Sequence, residues 1–147
     1  MNEVKPLAQG KTLIYVGPST SVAEAAEKMA SAKIGAVVVL DKDKLSGIFT
    51  ERDLLNRVVV AGLDPRSTPI SDVMTSRVVV AQASESYEAC LEIMRKVGCR
   101  HLPVVENDRL LGIISIRDLL LHDISVKESD IKMMSYLYYY TPSDVEL

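Results

Sequence analysis

The chain has 147 residues, a length that suits one compact domain or two tightly joined halves. Hydrophobic residues make up 48% and charged residues 25%, which provides apolar surface for a core and argues against disorder. A net charge of −3, from 17 basic and 20 acidic side chains, offers no basic face for nucleic acid.

The first element in chain order is a short β run, Thr12–Val16. No secretory signal is expected here, because Met1–Pro6 has no basic start followed by an apolar run. A helix follows. Ser21 is its N-cap candidate and Glu24, three residues on, completes a capping box. Val22, Ala25, Ala26 and Met29 recur at the i, i+3, i+4, i+7 spacing of one buried helical face. Next come an apolar strand, Ala36–Leu40, a polar turn, Asp41-Lys42-Asp43, and a second strand, Leu45–Phe49. A second helix begins at Thr50. The domain reading puts the first unit, with its N-terminal strand, at 1–62.

A linker at 63–77 follows, punctuated by Pro65 and Pro69 just after Gly62, with Ile70–Thr75 read as a short helical turn. The second unit, 78–124, repeats the order. It has a β run at Val78–Ala81 and a helix with Tyr87, Cys90, Leu91 and Met94 at the buried spacing. Strands Leu102–Val105 and Leu110–Ile114 flank Glu106-Asn107-Asp108, and a helix starts at Ser115. Runs such as Val58–Val60 and Val78–Ala81 are far shorter than a membrane span. The tail, 125–147, is read as one more helix from Val126 to about Tyr140. It holds four of the six tyrosines, at 136, 138, 139 and 140, which suits packing on a partner chain or on the chain's own body.

The two units are copies. Shifted by 65 residues, the chain aligns on itself without a gap from about Val16 to Leu55. Asp43–Leu55 lies over Asp108–Leu120 with eight of thirteen positions identical. Each copy therefore ends in Gly-x-x-Thr/Ser-x-Arg-Asp. The predicted class is α+β, a tandem pair of β-α-β-β-α units, because a hairpin beside two helices places helices on a sheet face.

Thr50-Glu51-Arg52-Asp53 and Ser115-Ile116-Arg117-Asp118 sit where a strand passes into a helix. The first N–H groups of a helix lack intrahelical acceptors and attract anions. A hydroxyl there can donate to a phosphate or sugar oxygen, and a carboxylate three residues on can accept both hydroxyls of a ribose. Gly47 and Gly112 allow close approach of a ligand or of another backbone. The same spacing is also a capping-box variant, which needs no ligand. Arg52 and Arg117, one helical step from the carboxylates, are expected to point elsewhere.

Val73-Met74-Thr75, Arg100-His101-Leu102-Pro103-Val104-Val105, and Gly47–Asp53 with its partner Gly112–Asp118 together resemble the cystathionine-β-synthase-type (CBS) domain pair, over roughly residues 10–123. The layout is similar to small stand-alone proteins of that kind. The resemblance implies two copies packed with pseudo-twofold symmetry, two clefts for an adenosyl ligand (AMP, ADP, ATP, NAD(H) or S-adenosylmethionine), and a homodimer. It implies ligand contacts from Thr50, Asp53, Ser115 and Asp118. It also implies that Arg100 and His101 meet phosphates of the ligand held by Asp53. Their first-copy counterparts, Gly35 and Ala36, would serve the ligand held by Asp118. That makes the Asp53 cleft the better phosphate binder. Ile34, Val37, Val38, Leu102 and Pro103 are candidates for an apolar adenine slot.

No phosphate loop, His-Glu-x-x-His zinc motif or nucleophile elbow is present, so the chain reads as non-enzymatic, with no obligatory cofactor. Cys90 and Cys99 form no disulfide framework and fit reduced thiols in a cytoplasmic protein. The expected function is a regulatory module that senses an adenosyl ligand and acts on an unidentified effector protein, away from nucleic acid and membrane. The alternatives are a ligand-free dimerisation or docking scaffold, and a redox- or metal-responsive protein using the cysteines with His101 and His122.

Overall fold

The computed structural model describes residues 3–122. The tyrosine-rich tail lies outside them. The elements in order are α1 (Lys5–Gln9), β1 (Tyr15–Val16), α2 (Val22–Ala32), β2 (Ala36–Asp41), β3 (Lys44–Thr50) and α3 (Glu51–Asp53), which widens into a π-helical segment, Leu54–Val59. A 3-10 turn at Ile70–Asp72 precedes β4 (Ala81–Gln82), α4 (Tyr87–Val97), β5 (His101–Glu106), β6 (Arg109–Ser115) and α5 (Ile116–His122). These form two three-stranded mixed sheets, β1-β2-β3 and β4-β5-β6. In each, a parallel pair joins an antiparallel hairpin, so the α+β class and the doubled unit stand as expected.

The chain divides into two compact units. One takes residues 14–78; the other joins the first 13 residues to the chain from Val79 onward. The sequence groups residues 1–62 and sets 63–77 apart as a linker, so the structural grouping differs at both places. The stretch after Gly62 packs back on the first copy: Val22 N–H donates to Thr68 O (2.9 Å), Ala23 N–H to Pro65 O (2.9 Å) and Ile70 N–H to Thr20 O (2.7 Å). Ile70 and Val73 enter that unit's core with Val22, Met29, Val37 and Phe49.

Residues before β1 do the equivalent for the second copy. Val4 N–H donates to Glu85 O (2.9 Å) and Lys5 N–H to Ala83 O (3.2 Å). Val4 and Ala8 are fully buried with Met94, Leu102, Ile114 and Leu119. A five-residue helix with Pro6 in its first turn is too short to show hydrophobic periodicity, so α1 is absent from the sequence reading. The strands before each helix are shorter than expected, because parallel pairing is limited to Tyr15–Val16 with β2 and Ala81–Gln82 with β5.

The local chemistry of the rest is direct. Ser21 Oγ accepts from Glu24 N (3.1 Å) and Ser86 Oγ from Ala89 N (3.1 Å), which caps α2 and α4. Both hairpins turn on two left-handed residues, Lys42-Asp43 and Asn107-Asp108, the geometry that twists strands correctly and that Asn and Asp tolerate. Ala36–Val39 are all buried, so both faces of the middle strand are covered. No helix among the described residues is long and apolar enough to cross a membrane.

Candidate functional site

Each hairpin delivers its last residue to the start of a helix. In the 14–78 unit, Thr50 is extended and caps α3. Its Oγ1 accepts from Asp53 N (3.2 Å), while Thr50 N–H donates to Asp53 Oδ2 (3.0 Å). In the other unit, Ser115 Oγ accepts from Asp118 N (3.1 Å) and Ser115 N–H donates to Asp118 Oδ2 (2.7 Å). Both motifs are therefore capping boxes.

One further donor in each unit is already used. Glu51 N–H donates to Gly35 O (3.0 Å) and Ile116 N–H to Arg100 O (2.9 Å). Two early N–H groups at each terminus thus have protein acceptors. The anion attraction expected from free donors is correspondingly reduced, and the groups left to meet a ligand are hydroxyl and carboxylate. A hydroxyl that accepts one hydrogen bond keeps its own O–H to donate.

The surroundings of the two carboxylates differ. Asp53 is 8% exposed. Among the described residues, its Oδ1 is approached by the Thr75 hydroxyl at 3.4 Å and by Arg57 Nε at 3.7 Å. Arg57 lies four residues beyond Asp53 in the π-helical segment, and its guanidinium donates to Met74 O (2.9 Å) and Val73 O (3.3 Å). Thr75 is brought in by two backbone bonds with Ile48 (3.0 and 2.9 Å). Asp118 instead carries an ion pair with Lys11, from the segment after α1, on the same Oδ2 that the Ser115 amide reaches.

The remaining candidates fall where their strands put them. Ala36 is the register partner of Thr50, and His101 of Ser115. Gly35 and Arg100 touch the caps through the carbonyls just described. Ile34 is half-buried against the first core, and Pro103 is buried opposite Ile113. Thus each unit collects its own hydroxyl, carboxylate and strand-entry pair at one end of its hairpin. Val37, Val38 and Leu102 are fully buried, which makes them core. Arg52 and Arg117 are exposed.

Three neighbours of the carboxylates were not among the sequence candidates. Arg57 had a signal, the i,i+4 spacing from Asp53. Thr75 lay in the Val-Met-Thr string, but nothing local says where that string docks. Lys11 is 107 positions from Asp118 and had no local signal.

Among the described residues, no three His, Cys, Asp or Glu side chains gather as a metal group. Burial, with help from the nearby Glu85 charge, pushes the Cys90 thiol up to about 12. Burial also raises Cys99, against the lowering effect of backbone hydrogen bonds.

The family model described as "CBS domain" matches residues 10–60 and 70–125. The chain is 42% identical over 102 residues to the meiotically up-regulated gene 70 protein of Schizosaccharomyces pombe. That match covers 69% of this chain but only 14% of that protein. It is 33% identical over 110 residues to the CBS domain-containing protein YhcV of Bacillus subtilis, 75% of this chain and 78% of that one. The solved CBS domain pair of protein MJ0100, in complex with 5′-methylthioadenosine and S-adenosyl-L-methionine, superposes with a TM-score of 0.71. It is 26% identical, over 81% of this chain and 93% of that chain. With its repeat, its two β-α-β-β-α units and this match over most of its length, the chain belongs to the CBS-domain family and carries the domain twice.

Proposed function

We propose that the chain is a regulatory module that binds an adenosyl ligand and passes its occupancy to a partner protein, without catalysing a reaction itself. The observation that carries this reading is the duplicated hydroxyl–carboxylate pair. In both units it lies at the strand-to-helix junction, with a largely buried carboxylate. The Asp53 Oδ1 partners among the described residues stand at 3.4 and 3.7 Å, which suits an acceptor awaiting a ribose diol. The adenosyl ligands of the MJ0100 domain pair support the choice of ligand class.

In this reading Thr50 and Ser115 donate to ligand oxygens, Asp53 and Asp118 hold ribose hydroxyls, and Arg100 and His101 meet phosphate. Self-association as a homodimer in the cytoplasm belongs to the same proposal. Val59 and Val60, 64% and 72% exposed, support it as apolar surface on the first unit. A redox role is disfavoured by the high thiol pKa values, since the thiolate is the reactive form.

Thermal unfolding with AMP, ADP, ATP, NADH and S-adenosylmethionine tests the reading. A ligand present at a hundred times its Kd adds about 2.7 kcal/mol, which raises Tm by roughly 5–10 °C for a chain of this size. The shift should shrink in Asp53→Asn or Asp118→Asn and vanish in the double variant. No shift with any of the five rejects ligand sensing in favour of the scaffold. Arg100→Ala should weaken AMP binding by about ten- to a hundredfold, since a charge-assisted contact is lost.

A further inference from the structure

The ion pair between Lys11 and Asp118 has no role in the family resemblance. It places a cation on one oxygen, Oδ2, of the carboxylate that a ribose diol would need. We propose that Lys11 is the specificity-determining residue of the Asp118 site: it restricts that site to ribosides carrying their own anion, so that nucleotides bind and neutral nucleosides are rejected. The proposal rests on the reading of Asp118 as a ribose acceptor.

The chemistry runs as an exchange of partners. Lys11 offers three donors and no acceptor, and its ammonium meets Asp118 Oδ2. The Asp118 side chain is only 14% exposed, so water contributes little to its charge. A neutral riboside brings hydroxyl donors but no negative charge. When its diol takes the carboxylate, the ammonium loses its counter-ion and only water replaces it. A 5′-phosphate supplies that replacement, and both charges end paired.

Lys11 is built to make the exchange. Its backbone follows a segment anchored by the Val4–Glu85 and Lys5–Ala83 hydrogen bonds, with Ala8 fully buried. The side chain itself is 40% exposed, on a flexible four-carbon stem. The head group can therefore swing while its root stays fixed. Arg57, the cation near Asp53, is different. Its guanidinium is tied to the Val73 and Met74 carbonyls and lies 3.7 Å from the carboxylate, so it neither blocks Asp53 nor is available to follow a phosphate.

The experiment compares AMP with adenosine, which differ only in phosphate, by calorimetry on the full chain. Asp53→Asn removes the other carboxylate and leaves Asp118 to report. In that background AMP should bind about tenfold or more tighter than adenosine, the scale of one charged contact. Adding Lys11→Met should bring the two affinities to within about threefold, AMP weakening and adenosine tightening, and Lys11→Arg should restore the preference. Circular dichroism and Tm of each variant confirm folding. An AMP-to-adenosine ratio unchanged by Lys11→Met overturns the proposal. If wild-type chain binds AMP but Asp118→Asn does not alter it, this inference falls and ligand sensing at Asp53 survives. If wild-type chain binds neither compound, both fall.

Discussion

Asp53 and Asp118 hold the same place in the repeat, yet different segments guard them. The first copy uses the chain that follows its hairpin and helix, residues 70–75, to cover β3 and bring Thr75 to the carboxylate. The other unit uses the chain's beginning, α1 and Lys11, to cover β6. The repeat thus supplies a hairpin and two helices, and an outside segment completes each. What differs is the chemistry of the completing segment: a hydroxyl in one case, an ammonium in the other. Duplication preserved the carboxylate but left its partner free to change.

The largest test of this comparison lies in the cores. Phe49, the chain's one phenylalanine, is fully buried and aligns with Ile114 in the repeat. Phe49→Ala should cost about 4 kcal/mol and Ile114→Val about 1 kcal/mol, by lost burial plus the cavity left behind. Denaturant titration measures both. Equal costs would mean that the two cores are not packed as described.

The covering segments are tested next through Gly47 and Gly112. A Cβ on Gly112 would lie 2.5 Å from Ala8 O and 3.1 Å from Ala8 C, which are backbone atoms of α1. A Cβ on Gly47 meets the Met74 side chain instead, including its Cγ at 2.9 Å. A methionine can change rotamer; a helix backbone must move as a body. Gly112→Ala should therefore cost about 2–3 kcal/mol and Gly47→Ala about 1 kcal/mol, the overpacking range. Met74→Ala should relieve the second and leave the first unchanged.

Much of this fold was legible in the residues. The 3.6 spacing of Val22, Ala25 and Met29, the doubled hairpins and the Ser21 cap depend on neighbours in sequence, and they are found where the pattern put them. The hydroxyl–carboxylate pairs were legible for the same reason, as three-residue motifs. What escaped depends on distance along the chain. Nothing in Lys5–Gln9 says that it docks on β6, and nothing in Ile70–Thr75 says that it returns to β3. Lys11 and Thr75 were missed because they arrive on those segments. The reading of the Asp118 cleft as served only by the uncharged Gly35 and Ala36 changes with Lys11 in place.

Smaller effects separate the caps from their guards. Thr50→Ala and Ser115→Ala each remove one cap and should cost about 1 kcal/mol alike, because the box is the same in both units. Lys11→Met should cost at most about 1 kcal/mol, since the lysine is partly exposed, and less in high salt. A Lys11 cost that ignores salt would mean that the side chain acts by packing rather than by charge.

The finest test uses the thiols, since both cysteines lie in the unit built from the two ends of the chain and neither lies in residues 14–78. Folding raises the Cys90 pKa from 9.0 to about 12, so the folded chain holds the proton over an interval in which the unfolded chain has lost it. More protons bound in the native state means that stability falls as pH rises, and here it falls from about pH 9 toward 12. The effect follows burial first and the Glu85 charge second. Glu85→Gln should therefore lower the Cys90 pKa only slightly, whereas unfolding should return it to the ordinary range. Alkylation of the native chain across pH 8 to 10 should stay slow at Cys90, and a rate matching that of the denatured chain would show that the buried environment around α4 opens on its own.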